Sequence, residues 1–307
     1  MTNDERQLSG LMLRLAGLRR RCGVRVLFPL TVCALVGCVS DKPSPPRPLS
    51  VRQAEAFESA ALRHTQLSQW PQAAALWQQA VDRYALLNDQ AREAVAWHNL
   101  ASAQAHMGHH EEALHSLETA IALNESSSRW NEWWRDQIAL VQLRSRLQQR
   151  QELAAIFEDL APKASAVEDS ETLGLFLNEL GLWQWRQNDL NAARDTFKRA
   201  LRQLQKAGSE SGQAAVLANQ ALLSESAKDY AQATSLWQNA RARFEKLGDP
   251  RGIAQALAGQ GRSLLALGTS PKEAENLLRN AARNFQLLNM AEEQASIEEL
   301  LKTPSGR

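Results

Sequence analysis

The sequence predicts an all-α fold, an α-solenoid of about six helical hairpins that a C-terminal capping helix closes. Apolar residues recur three or four positions apart between residues 51 and 302, and no alternating strand pattern accompanies them. A packing signature also repeats: a small or apolar residue, a bulky residue four positions later and a small or apolar residue three positions after that. Its copies begin at 73, 113, 153, 193, 233 and 274, so the period is about 40 residues.

The first 37 residues are predicted to be a secretory signal peptide. Six arginines precede residue 26, and an 11-residue apolar run, too short to span a bilayer, extends from Val26 to Val36. The run ends in Leu35-Val36-Gly37-Cys38, which resembles the lipobox of bacterial lipoproteins. This resemblance implies cleavage before Cys38 and acylation of that cysteine. An aspartate at position 39 would imply retention in the inner membrane, and Val39 at that position therefore favours sorting to the outer membrane. The basic segment is long for such a signal, so the true start is either Met1 or Met12.

Residues 38–50 are predicted to be the lipidated cysteine and a proline-rich linker. Four prolines lie among the six residues from Pro43 to Pro48, and such a density excludes a helix or a central strand. An extended chain of about 3.1 Å per residue would reach about 35–40 Å from Cys38 to Ser50. The linker is therefore expected to hold the folded body away from the lipid.

Helix ends recur in phase with the packing signature between residues 51 and 302. Residues 88, 208, 248 and 289 are glycine or asparagine, which tolerate the left-handed conformation at a helix end. Asp89, Ser209 and Asp249 are the expected N-caps that follow. Ala101, Gly181 and Ala221 share one repeat position. We expect the two helices of a hairpin to cross closely at that position.

The repeats resemble the tetratricopeptide repeat family, most clearly in the second copy. Its motif consists of Trp97, Leu100, Ala101, Gly108, Ala113, Leu117 and Ala120. The usual period of the family is 34, and a period of 40 is similar to the longer-helix subclass of kinesin light chains. HEAT repeats, with a period near 40, are the alternative. The third repeat departs most from the pattern, because Leu153 replaces the alanine, and we expect an irregularity there. Residues 291–302 are the expected polar cap, and residues 303–307 a flexible tail.

Composition and motifs argue against several functional classes. The formal net charge is +1, and it becomes −3 after removal of the leader, which does not favour nucleic acid. All three cysteines lie at or before Cys38, and no phosphate loop or nucleophile elbow occurs. Five of six histidines fall in the second repeat, but His110 and His115 are five positions apart and diverge. We predict no catalytic residue, metal, cofactor or small-molecule substrate, and a metal-dependent hydrolase is a minor alternative.

The family resemblance implies that binding uses the inner face, which is the surface made by the first helices of the hairpins. Kinesin-light-chain-like repeats carry an asparagine there, and its equivalents are Asn99 and Asn219, with Gln260 as a further candidate. The remaining candidates for a peptide groove are His98, Ser102, His106, Arg135, Arg146, Asn178, Trp185 and Arg186. Arginines suit an acidic or carboxylate-bearing partner. Exposed aromatic anchors are expected at Trp133, Trp134 and Trp185, whereas Trp77, Trp97 and Trp237 occupy packing positions.

Together these features predict a non-enzymatic scaffold or assembly factor. As an outer-membrane lipoprotein facing the periplasm, it would bind other envelope proteins or their peptide segments. Pilus secretin assembly, outer-membrane barrel assembly and cell-wall enzyme regulation are the kinds of machinery that such lipoproteins serve. If the leader is not used, the alternative is a cytosolic adaptor.

Overall fold

The computed structural model describes residues 47–302, which lie in one compact unit. They form thirteen α-helices and one 3-10 helix, Ala164–Ala166, and contain no strand. The α-helices are α1 Leu49–Gln66, α2 Trp70–Leu86, α3 Gln90–His106, α4 His110–Ser126, α5 Trp130–Arg146, α6 Arg150–Lys163, α7 Ser170–Arg186, α8 Leu190–Ala207, α9 Glu210–Ser226, α10 Tyr230–Leu247, α11 Pro250–Leu267, α12 Pro271–Leu287 and α13 Ala291–Lys302. The predicted leader, Cys38, most of the linker and the tail lie outside the described residues.

The helices pair into six hairpins followed by α13, which confirms the predicted all-α solenoid. From α3 onward the first helix of each hairpin begins at residue 90, 130, 170, 210 or 250, in steps of 40. All six copies of the packing signature are buried, including the degenerate copy at Leu153, Phe157 and Leu160. The bulky signature residue therefore fills the space between the two helices of its own hairpin and its neighbours.

Turns between hairpins adopt the predicted conformations. Asn88, Gly208, Gly248 and Asn289 have positive φ values of 52°, 70°, 65° and 57°. The predicted N-caps are also confirmed, because the side chains of Asp89, Ser209 and Asp249 accept bonds from backbone N–H groups of the following turn. These contacts satisfy donors that a helix start leaves without a partner.

Close crossing of the two helices of a hairpin explains the small residues at the repeat position of Gly181 and Gly261. A Cβ atom added to Gly181 would lie 2.7 Å from Cδ1 of Phe197, and one added to Gly261 would lie 2.7 Å from Cγ of Leu278. Both distances are shorter than a normal carbon–carbon contact. The predicted crossing between first and second helices is therefore confirmed at the level of individual atoms.

The third repeat is irregular, and here one prediction is wrong. Helix α6 is 14 residues long, carries Pro162 near its end and continues into the 3-10 helix. Trp133 and Trp134, predicted to be exposed anchors, are only 8% and 6% exposed. Trp134 packs edge-on against Phe176 of α7, with ring centroids 5.1 Å apart, so the aromatic rings fill the core of this repeat.

The exposed aromatic residue of the third repeat is instead Trp130, at the first position of α5, with 54% of its surface accessible. Trp77 and Trp237 are buried as predicted, while Trp97 and Trp185 are half-buried. Between residues 47 and 302, no helix combines the length and the apolar character required to cross a bilayer.

Candidate functional site

Polar side chains join each first helix from α1 to α9 to the next first helix, some on the inner face and others near the helix ends. These pairs lie 37 to 41 residues apart in sequence, about one period. They are Glu55–Arg92, Asp136–His98, Gln142–Glu179, Asn178–Asn219 and Glu225–Ser263. Part of the polar character of the inner face therefore holds successive repeats in register.

A cavity of about 210 Å³, which we call the groove cavity, opens on the inner face between α3 and α5. His98, Ser102 and His106 enter it from α3 because a spacing of four places them on one stripe of the helix. Arg146 enters from α5, and the apolar part of its wall includes Leu117, Leu143 and three alanines. The fold thus brings together four of the predicted groove residues, His98, Ser102, His106 and Arg146.

His98 is oriented by a buried carboxylate. Its Nδ1 lies 2.7 Å from Oδ1 of Asp136, which is only 3% exposed. Asn124 donates from Nδ2 to the other oxygen of Asp136 at 2.7 Å. In the neutral imidazole of His98, we assign the proton to Nδ1, because the carboxylate of Asp136 accepts there, and Nε2 is then an acceptor. Sequence reasoning missed Asp136, although its separation from His98 by 38 residues, close to one period, is a signal that could have found it.

Two further polar side chains of the groove cavity, His106 and Arg146, are placed differently. His106 stacks on Trp70 of α2, with ring centroids 3.9 Å apart and an interplanar angle of 5°. Arg146 is exposed and, within the part of the chain that the structure describes, forms no hydrogen bond or salt bridge, although its charge acts on Glu179. Its guanidinium group therefore keeps its five N–H donors for a ligand.

Gln142, which also lines the groove cavity, and the neighbouring stretch of the inner face are bonded internally. Gln142 donates from Nε2 to Oε1 of Glu179 at 3.1 Å, and Asn219 donates from Nδ2 to Oδ1 of Asn178 at 2.8 Å. Arg186 donates to the hydroxyl of Ser145. Burial raises the pKa of Glu179, while hydrogen bonds from Gln142 and Asn178 and the charges of Arg186 and Arg146 act in the opposite direction.

The remaining predicted groove residues do not converge on the groove cavity. Asn99 donates to the carbonyl of Val95 in its own helix at 2.8 Å. Gln260 is buried and accepts a bond from Arg241 of α10, so it faces the second-helix layer. Arg135 lines a separate cavity of about 200 Å³ with His98 and Asp136.

A second inner-face cavity, of about 550 Å³, lies between α9, α11 and the capping helix α13. Asn219 contributes to its wall together with Arg262, Glu292 and Glu293. Carboxylates and an arginine face each other there, so its charge is mixed. The groove cavity differs because its polar side chains are predominantly donors or basic.

The histidines of the second repeat do not form a metal site. His98 and His106 line the groove cavity, whereas His115 packs edge-on against Trp97 with centroids 6.4 Å apart. Across residues 47–302, no group of three histidine, cysteine or acidic side chains is placed to hold a metal ion.

Comparison with known proteins supports the tetratricopeptide-type repeat. The family model described as tetratricopeptide repeat matches residues 94–127, which lie in the second hairpin. No curated protein matches the chain.

Three solved structures share the fold at low sequence identity. The quorum sensor NprR from B. thuringiensis is 14% identical, with 82% of this chain and 76% of that chain covered and a TM-score of 0.59. BtubC (BKLC) from P. vanneervenii is 17% identical, with 79% and 93% covered and a TM-score of 0.54. Aspartyl phosphate phosphatase F from Bacillus subtilis is 12% identical, with 84% and 72% covered and a TM-score of 0.61. These likenesses establish a helical repeat architecture of this type.

Proposed function

We propose that the chain is a non-enzymatic scaffold whose groove cavity binds a carboxylate-bearing peptide segment of a partner protein. A helical repeat fold of this type is consistent with protein–protein interaction. The observation that carries the proposal is the groove cavity itself, in which Arg146 makes no internal hydrogen bond and lies beside Ser102 and His106.

The chemistry of the groove cavity suits a peptide side chain. An arginine guanidinium group binds a carboxylate through two parallel hydrogen bonds. Leu117 and Leu143 would receive the aliphatic part of the same segment, and Nε2 of His98 would accept from a backbone N–H of the partner. A volume of about 210 Å³ is below the range of about 300–1,000 Å³ that is usual for small-molecule sites, which favours a side chain over a free ligand.

We further propose that the scaffold is anchored to the outer membrane through acyl chains on Cys38 and faces the periplasm. The basic segment, the short apolar run and the Leu35-Val36-Gly37-Cys38 sequence support this location. The partner would then be another envelope protein. Assembly machinery for pilus secretins or outer-membrane barrels, or regulation of cell-wall enzymes, is the setting that this proposal implies.

A pull-down from envelope extracts tests the groove. The bait is the lipidated protein, compared with a double variant, His106→Ala/Arg146→Ala, and with Arg202→Ala as the matched control. Arg202 is exposed on α8, away from the first helices. We expect the double variant to lose at least about tenfold in partner affinity, which corresponds to about 1.4 kcal/mol, while Arg202→Ala binds normally. Equal recovery by all three proteins would refute the proposed groove.

Mass spectrometry of the membrane-associated protein tests the anchor. We expect an N-terminal Cys38 that carries acyl chains, and accumulation of a longer precursor when cells are treated with globomycin. An unmodified Cys38, or a chain whose size does not respond to globomycin, would contradict the anchor without affecting the groove.

A further inference from the structure

Exposed apolar residues concentrate at one edge of the solenoid. Because consecutive helices alternate in direction, the start of α1 and all turns between hairpins meet at the same edge, which we call the turn edge. Nine large apolar side chains are exposed between residues 47 and 302. Five of these lie at the turn edge: Leu49, Leu86, Trp130, Leu247 and Leu287. Leu62, Leu67 and Leu267 lie at or near the opposite edge, but only Leu67 among them is more than half exposed, compared with four residues at the turn edge. Solitary exposed apolar residues are normal, whereas several along one edge are typical of a contact surface.

The N-terminal part of the turn edge is continuous across three repeats. Arg92 of α3 is 3.0 Å from the carboxylate of Glu55 in α1. Arg129, at the start of α5, donates to the carbonyl of Ala91 at 2.6 Å. These contacts hold the N-terminal halves of α1, α3 and α5 side by side. Three apolar side chains project from this surface, with Leu49 64%, Leu86 79% and Trp130 54% exposed.

We propose that this part of the turn edge, formed by Leu49, Leu86 and Trp130, docks onto the surface of the lipid bilayer. The inference rests on the proposed anchor at Cys38. The position of the chain supports a bilayer as the occupant, because the described residues begin at Arg47 on this edge, only nine positions after Cys38. The nine positions from Cys38 to Arg47 reach only about 28 Å even when extended, so the edge stays close to the membrane and weak contacts suffice. Docking requires the linker to lie along the bilayer surface, contrary to the expectation that it holds the body away from the lipid. A tryptophan side chain also favours the region between headgroups and acyl chains.

Charges at this edge largely neutralise one another. Glu55 contacts both Arg47 and Arg92, and Arg129 pairs with Glu132 at 3.2 Å. Docking would therefore depend on apolar side chains that enter the headgroup region of the bilayer, and it would not require anionic lipid. The inner face remains available for the partner, since the turn edge is formed by helix ends and not by the stripe that lines the groove cavity.

Site-directed spin labels on the lipidated protein test this docking. The sequence has no cysteine after Cys38, so an introduced cysteine is labelled uniquely. Labels replace Ala85 and Asn131, which are exposed neighbours of Leu86 and Trp130, and a matched control label replaces exposed Gln66 at the opposite edge. The protein is reconstituted in vesicles of phosphatidylethanolamine, with and without phosphatidylglycerol. Accessibility to oxygen and to a water-soluble nickel complex is measured by electron paramagnetic resonance.

We expect several-fold lower nickel accessibility at residues 85 and 131 in both kinds of vesicle, with no change at residue 66. A variant with Leu86→Ser and Trp130→Ser should lose this protection while it still floats with the vesicles. Equal accessibility at all three labels on vesicle-bound protein would overturn the docking and leave the anchor intact. Equal protection at all three would also overturn it, because the contact would not be specific to this edge. If the protein carries no lipid, the anchor fails, and labels that remain unprotected after vesicles are added would overturn the docking as well.

Discussion

Replacement of Gly181 by alanine tests the packing on which the hairpin model depends. Gly181 lies in the interior of α7, opposite the ring of Phe197, which is fully buried in α8. An added Cβ would lie 2.7 Å from both Cδ1 and Cε1 of that ring. A buried aromatic ring cannot move aside as the tip of a flexible side chain does, so the helices must separate.

Two opposing effects determine the magnitude. Alanine normally stabilises a helix interior by about 0.5–1 kcal/mol relative to glycine. Overpacking of a well-packed core costs about 1–3 kcal/mol. We expect crowding to win, with a net loss of about 1–2 kcal/mol. For a body of this size the midpoint of thermal unfolding should fall by about 2–8 °C.

The assay is thermal unfolding followed by circular dichroism, with a double-mutant cycle as control. Phe197→Leu in the Gly181→Ala background removes the ring and produces the pair that the second repeat already has, Ala101 with Leu117. The two substitutions should therefore be less harmful together than the sum of their separate effects, with a coupling of about 1 kcal/mol. A rise in the unfolding midpoint of Gly181→Ala alone would show that the crossing is not tight and would refute the reasoning.

The remaining predictions concern a helix cap, a buried acid and the aromatic residues of the third repeat. Asp169→Ala should lower the free energy of unfolding by about 1 kcal/mol near neutral pH. Hydrogen bonds from Thr172 lower the pKa of Asp169, so in denaturant titrations this stabilisation should disappear as pH falls through the lowered pKa. A difference between variant and wild type that does not depend on pH would contradict the cap. Glu179→Gln should become progressively more stable than wild type as pH rises through the raised pKa of Glu179, because the folded wild type must then bury a charge. If the same titrations show a stability difference that stays constant with pH, this prediction is wrong. Calorimetry should show a loss of about 3–5 kcal/mol for buried Trp134→Ala and of less than about 1 kcal/mol for exposed Trp130→Ser, and similar losses for both would contradict the observed burial.

Most of the fold follows from periodicity that is local in sequence. The spacing of Ala73, Trp77 and Ala80 defines a buried stripe on one helix, and its recurrence at 40 residues specifies equal hairpins. The turn at Gly208 and the cap at Ser209 are likewise short-range effects, since both depend on backbone groups within one turn. Each of these features can be predicted without knowledge of how neighbouring repeats are rotated.

The details of the inner face depend on the rotation of neighbouring repeats, which the local periodicity of the sequence does not reveal. Asn178 and Asn219 are both polar residues at inner-face positions, but only the packing of α7 against α9 makes them partners of each other. The same holds for Asp136, whose burial beside His98 depends on the approach of α3 to α5. The sequence predicts that Trp133 and Trp134 are exposed, because they do not occupy packing positions as Trp77 and Trp237 do. The irregular third repeat buries them instead.

The most direct test of the proposed scaffold is photo-crosslinking in living cells. A photoreactive amino acid replaces Ser102 in the groove cavity and, as a control, Arg202 on α8. We expect a single prominent protein adduct from position 102, absent from position 202 and lost when Arg146→Ala is added. No adduct at position 102, or equal adducts from both positions, would contradict the proposal that the inner face binds the partner.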